Sequence, residues 1–169
     1  EAFATEAAKD NLFFITPSAS AANVIENRPN AFRVCFGDPD QGILAAQDLA
    51  ANFETIGAIY DTSDPYSAGI YNTFKAEAAA LGLEIAVEAP FTEGTKGDLT
   101  TQVTMRQQAN CDLVFLPIYT SEAVKVLSVA NSNGYSPKYF GCDGLDGILS
   151  VENFDTSLAE GVMLLTPFD

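Results

Sequence analysis

Apolar, strand-like runs along this chain end repeatedly in short polar turns, and most of those turns lead into a helix-like segment. Phe13-Phe14-Ile15 runs into Thr16-Pro17-Ser18-Ala19-Ser20, and Ile56-Gly57-Ala58-Ile59-Tyr60 into Asp61-Thr62-Ser63-Asp64-Pro65-Tyr66-Ser67. Leu113-Val114-Phe115-Leu116 runs into Pro117-Ile118-Tyr119-Thr120-Ser121, and Tyr139-Phe140-Gly141 into Cys142-Asp143-Gly144. The runs are mostly continuous rather than alternating, as strands covered on both faces should be. Strands alternating with helices of 10–15 residues imply βαβ units with right-handed crossovers. The fold class expected is α/β, a Rossmann-like parallel sheet with helices on both faces. Ligands of such sheets bind outside the carboxyl ends of the strands. The turns therefore bring hydroxyls, two tyrosines and the Asp143 carboxylate to one edge, which suits a small zwitterion.

Strands are predicted at Leu12–Thr16, Phe32–Phe36, Ile56–Tyr60, Glu84–Ala89, Asp112–Pro117, Lys138–Cys142 and Gly161–Thr166. A first helix is predicted over Phe3–Lys9. Asp40–Phe53 repeats apolar residues at Ile43, Ala46, Ala50 and Phe53; Pro65–Leu81 does so at Ile70, Phe74, Ala78 and Leu81, with Gly82 as its stop. Thr100–Ala109 has a weaker face, at Val103 and Met105. Ser121–Asn133 carries Val124, Leu127 and Ala130, with Ser121 as N-cap and Gly134 after its end. The two ends depart from this regular pattern. The first 36 residues hold one helix, one strand, a short helix and a further strand, and the last strand stops at Phe168-Asp169 with nothing to cover it. The chain reads as one complete α/β lobe carrying a remnant of a second.

Composition excludes several classes. The 169 residues include 23 acidic and 8 basic side chains, a net charge of -15, so phosphate backbones and anionic membranes are repelled. No apolar run approaches the ~20 residues of a membrane span. The chain opens Glu1-Ala2-Phe3-Ala4 with no initiator Met, as a processed or excised segment would. There is no histidine, which removes the commonest general base and metal ligand, and with it Ser-His and Cys-His nucleophile pairs. Cys35, Cys111 and Cys142 lie far apart in sequence, and their odd number argues for buried free thiols over a disulfide framework.

Ile15-Thr16-Pro17-Ser18-Ala19-Ser20, then Phe32-Arg33-Val34, then Asp38-Pro39-Asp40-Gln41-Gly42 resemble the leucine/isoleucine/valine-binding proteins, the type I periplasmic binding proteins of amino-acid ABC transporters. The resemblance continues in order through Ala58-Ile59-Tyr60-Asp61, Tyr66-Ser67-Ala68-Gly69, Asp112–Pro117, Tyr119, Gly141-Cys142-Asp143-Gly144 and Ala159-Glu160-Gly161-Val162. It implies two α/β lobes joined by hinge strands, with a ligand clamped between them. On that pattern residues 1–36 are the tail of the first lobe and its hinge strand, 37–163 the complete second lobe, and 164–169 the returning hinge strand. It further implies an extracytoplasmic protein, in the periplasm or lipid-anchored, that delivers an amino acid to a membrane permease and needs no cofactor.

By the same resemblance Ser18 and Ser20 match the loop that holds the ligand carboxylate; hydroxyls and free N–H groups at a helix N-terminus favour an anion, and helix capping is the plainer alternative. Asp143 matches an acidic residue that pairs with the ligand ammonium, against the alternative of a simple Asp-Gly turn; Asp146 nearby is a weaker candidate. Tyr66 and Tyr119 match aromatics that close over the ligand, and a tyrosine face attracts an ammonium. Asp38 and Gln41 beside the hinge read chiefly as caps of the following helix, with ligand contact the lesser alternative, Tyr60 and Tyr71 as core and helix-face residues, and Glu54, Glu77, Glu84 and Glu88 as solvated surface.

Two other readings compete with an amino-acid-binding module. An enzyme on a doubly wound sheet lacks its parts here: no G-x-G-x-x-G, G-x-x-x-x-G-K-[ST] or G-x-S-x-G occurs, and although Asp143 with Asp146 could do acid/base work, nothing positions a nucleophile. A sensory domain of the same fold is not separable by fold alone. The exposed remnant also allows a homodimer or a swapped dimer.

Overall fold

The computed structural model describes residues 2–167. Its main body is a five-stranded, all-parallel sheet in the order β4-β3-β5-β6-β7, from β3 (Thr55–Asp61), β4 (Glu84–Phe91), β5 (Leu113–Leu116), β6 (Lys138–Gly141) and β7 (Met163–Leu164). A separate pair, β1 (Phe14–Thr16) and β2 (Ala31–Arg33), is also parallel. Helix α1 (Ala2–Lys9) precedes that pair; α2 (Asp38–Asn52), α3 (Pro65–Leu81), α4 (Thr100–Gln108) and α5 (Thr120–Ser132) belong to the main body.

Helices cover both faces of the large sheet. Leu49 of α2 and Ile70, Phe74 and Ala78 of α3 pack with Ile56, Ala58, Phe115 and Phe140 on one face. Val103 of α4 and Val126, Leu127 and Ala130 of α5 pack with Ile59, Val114 and Leu116 on the other. Every residue of β5 is buried, as its unbroken apolar run requires, whereas β4 at the edge alternates in exposure.

Helix α3 runs from Pro65 at its first turn, with the Asp64 carboxylate accepting the Ser67 N–H, to Gly82 in the left-handed region at φ 74°. These are the predicted bounds, although Leu81 on the predicted apolar face is exposed. The buried face of α2 differs from the predicted one: Gln41, Gly42, Ala45, Ala46 and Leu49 face inward, while Ile43 stands at the surface. Contact with α3 sets that rotation. A Cβ on Gly42 would lie 2.5 Å from the Ile70 carbonyl and 2.7 Å from the Phe74 nitrogen, so only glycine admits so close an approach. Ser121 does not cap α5: the cap position is Tyr119, and the Ser121 hydroxyl instead meets the Glu122 carboxylate at 2.7 Å.

Several predicted elements are shorter in the structure. The strand expected over Phe32–Phe36 ends at Arg33, where the chain turns toward α2, and Gly161–Thr166 contributes only Met163–Leu164. Phe168 and Asp169, the end of the predicted returning strand, lie outside the described residues. Between β6 and β7 the chain makes three short 3-10 turns, Asp143–Leu145, Ile148–Ser150 and Thr156–Ala159, where a simple turn had been expected after Gly141.

Candidate functional site

The chain leaves β3 in one direction for β4 and returns across it to β5, so neighbouring strands β3 and β5 send their following loops apart. A crevice opens at such a reversal in an open α/β sheet. Asp64, Pro65 and Tyr66 follow β3, Tyr119 follows β5, and Asp143 and Gly144 follow β6. Across from them stands the segment after β1, with Ser18, Ser20 and Val24. These residues line one open cleft of about 470 Å³. All five residues singled out from the sequence, Ser18, Ser20, Tyr66, Tyr119 and Asp143, are on its walls. Asp146 is exposed and stands outside the lining, so it does not join Asp143 there.

Asp143 is held by neighbours on two elements, α2 and α3. Its Oδ1 accepts the Tyr66 hydroxyl at 2.7 Å and the Gln41 Nε2 at 2.9 Å. Its own N–H donates to Gln41 Oε1 at 3.1 Å, and the Gly144 N–H donates to Tyr66 Oη at 2.7 Å. Tyr66 is buried, and burial first, then the nearby Cys142 and Asp143, drives its phenol far above the ordinary range. It is thus a permanent donor to Asp143. Tyr119 stacks on Tyr66 with ring centroids 4.7 Å apart and 46% of its surface exposed, so one face of the pair presents to the cleft. Burial, then the charge of Asp64, pushes the Tyr119 phenol up to about 12.

The opposite wall is tied to the start of α2. Arg33 Nη1 donates to the Ser20 carbonyl at 2.7 Å and to that of Ala21 at 3.2 Å, while the Asp38 N–H also donates to the Ser20 carbonyl at 3.0 Å. Ser18 is exposed and Ser20 buried. Asp38 is buried, with its Oδ1 unpartnered among the described residues. Burial raises its carboxyl to about 6; the Ser20 side chain pulls it back, and the charge of Asp143 adds to the rise.

Asp38 and Gln41, read as helix caps, do other work. Capping falls to Asp40, whose Oδ2 accepts the Gly37 N–H at 3.0 Å. Gln41 is fully buried against Asp143, a contact across 102 residues of sequence that no local pattern announces. Cys35, Cys111 and Cys142 are free and buried, as expected. Tyr60 and Tyr71 stack in the core at 3.7 Å, and Glu88, expected as free surface, is half-buried and paired with Lys75 at 2.7 Å.

The cleft lining carries the carboxylates Asp64 and Asp143 and no cationic side chain. Chemically it offers a fixed carboxylate with one oxygen, Oδ2, left for a cation, an aromatic face beside it, and serine hydroxyls opposite. Among the described residues, no group of three or more His, Cys, Asp or Glu side chains is arranged to hold a metal ion.

A family model described as periplasmic binding protein matches residues 1–168. The Leu/Ile/Val-binding protein BraC3 of Rhizobium johnstonii is 26% identical over 140 residues, 82% of this chain and 38% of that protein. The solved leucine binding protein LivK of Thermotoga maritima superposes with a TM-score of 0.80 at 25% identity, over 94% of this chain and 43% of that one. The branched-chain amino acid transporter substrate binding protein LivJ of Streptococcus pneumoniae, solved with isoleucine, gives 0.74 at 24% identity, over 83% and 40%. The chain spans about two fifths of the length of these relatives.

Proposed function

The chain belongs to the periplasmic binding protein family, and from that premise we propose that it forms part of the clamp for a branched-chain or related amino acid in the solute-binding component of an ABC transporter. The family implies an extracytoplasmic location, and its members bind solutes rather than catalyse. The observation that carries the reading is Asp143, fixed by Tyr66 and Gln41 with Oδ2 free, facing the Ser18–Ser20 wall across one cleft. Asp143 takes the ammonium, the Tyr66–Tyr119 stack covers it, and Ser18 and Ser20 take the carboxylate. A charge-assisted bond to a carboxylate and a cation–π contact are the two strong means of holding an ammonium. The loaded protein hands its amino acid to a membrane permease.

Residues 1–36 are on this reading the tail of a first lobe and a hinge strand, 37–163 a second lobe, and 164–169 the returning hinge. The apolar surface on β1, β2 and their flanks supports it: Phe13, Ile15, Phe32 and Val34 are each about half exposed or more. Side chains of that kind ask for cover from further strands and helices.

A thermal-shift panel of free amino acids, with Asp143→Asn in parallel, tests the proposal. A ligand at a hundredfold excess over Kd adds about 2.7 kcal/mol to apparent stability. A shift with leucine, isoleucine or valine that disappears in Asp143→Asn is the expected result. No shift with any amino acid removes the amino-acid assignment and leaves the fold.

A further inference from the structure

The first turn of α2 touches both walls of the cleft. Its Asp38 N–H holds the Ser20 carbonyl at 3.0 Å on one side. Its Gln41 side chain, one turn on, holds Asp143 from the other through a reciprocal pair: Nε2 donates to Oδ1 at 2.9 Å, and Oε1 accepts the Asp143 N–H at 3.1 Å. We propose that Gln41 is a positioning residue that fixes the distance between the two poles of the ligand site, and so selects α-amino acids over longer-spaced ones. The proposal rests on the amino-acid reading given above.

Three features carry it. First, the amide engages both the side chain and the backbone of Asp143, so it fixes the rotamer as well as the place of the carboxylate. Second, Gln41 is itself immobile. It is fully buried, and α2 is pressed onto α3 at Gly42, the next residue, where no side chain fits. Third, the same helical turn anchors Ser20, which Arg33 also grips from behind. Asp143 and Ser20 are therefore referred to one rigid piece of backbone rather than to two independent loops. An α-amino acid and its β-homologue carry the same two charged groups and differ by one carbon in their separation. A fixed spacing between Asp143 and the serine wall discriminates between them, and a loosened one does not.

The test measures L-leucine and its β-homologue, 3-amino-5-methylhexanoate, by titration calorimetry on the protein, on Gln41→Met and on Gln41→Glu. Met fills the volume without hydrogen bonds; Glu keeps the acceptor for the Asp143 N–H and loses the donor when ionised. Melting midpoints of the ligand-free proteins are taken alongside, and a variant that does not melt cooperatively leaves the comparison to the other. L-leucine affinity is expected to fall at least tenfold in both variants, and the preference for L-leucine over the β-homologue to shrink with it. Equal weakening of both ligands assigns Gln41 a merely structural role and overturns the proposal, as does unchanged affinity. If the unsubstituted protein binds neither ligand, the amino-acid reading itself has failed, a result distinct from either of these.

Discussion

The Tyr66 hydroxyl donates to Asp143 Oδ1 at 2.7 Å while accepting the Gly144 N–H at 2.7 Å, so one oxygen closes two bonds across 77 and 78 residues of sequence. Removing it in Tyr66→Phe keeps the ring and its stack on Tyr119 but leaves a backbone N–H without its partner and Asp143 with one donor fewer. An unsatisfied buried group costs about 1–3 kcal/mol. Denaturant unfolding is expected to register that loss, and amino-acid affinity to fall as well. Unchanged stability in Tyr66→Phe would show that water takes over both bonds.

Tyr119 separates binding from stability. It is half exposed, so Tyr119→Leu is expected to change unfolding free energy by no more than about 1 kcal/mol, the order of one aromatic pair. The cation–π contact it offers an ammonium is worth about 0.5–2 kcal/mol, or roughly two- to thirtyfold in affinity. Calorimetric titration with L-leucine reads this directly. Full affinity in Tyr119→Leu would remove the aromatic wall from the binding account.

Arg106 is a buried cation that donates from Nη2 to the Ala58 carbonyl at 2.7 Å, while its Nε and Nη1 have no hydrogen-bond partner among the described residues. Burial lowers its guanidinium to about 10. A charge so placed is a poor source of stability, and replacing it with an apolar side chain of similar volume is often neutral or favourable. Arg106→Met is therefore expected to retain or raise the melting midpoint. Gly57 lies underneath: a Cβ there would meet Arg106 Cδ at 2.5 Å and Nη1 at 2.8 Å. Gly57→Ala alone is expected to cost about 1–3 kcal/mol through overpacking. In the Arg106→Met background the more flexible thioether chain gives way and the cost shrinks. Equal costs in both backgrounds would contradict the contact.

The strands and helices of the large sheet were legible because each is decided by its own residues. Continuous apolar runs mark buried parallel strands, and Pro65 and Gly82 fix both ends of α3. The cleft was legible for a related reason, since strand ends converge in this fold whatever the loops contain. The inward face of α2 was not. Ile43, Ala46, Ala50 and Phe53 suggested one apolar stripe, but contact with α3 at Gly42 turned a face of alanines, a leucine and a glutamine inward. Tertiary packing there outweighed hydrophobic periodicity. Gln41 was missed for the same reason, because its partner is remote in sequence. A buried polar residue on the inward face of a helix is the signal that would have found it.

Asp38 gives the protein a pH dependence of definite sign. Its carboxyl is buried, with Oδ1 unpartnered and Asp143 nearby, and titrates at about 6 against an ordinary 3.8. The folded state therefore holds a proton that the unfolded chain has already released between about pH 4 and 6. Stability contributed at this site falls as pH rises through that window, by about 3 kcal/mol at most, and is level above it. Asp38→Asn removes the ionisation while keeping the shape. Unfolding free energies measured from pH 4.5 to 8 are expected to show the variant gaining on the unsubstituted protein as pH rises through 5 and 6, then holding a constant lead. Asp143 and Asp64, the other carboxylates felt by Asp38, are present in both proteins, so their own titration largely cancels in the difference. A difference that stays flat across the whole range would mean that Asp38 is ionised throughout and stabilised by neighbours other than those seen around it.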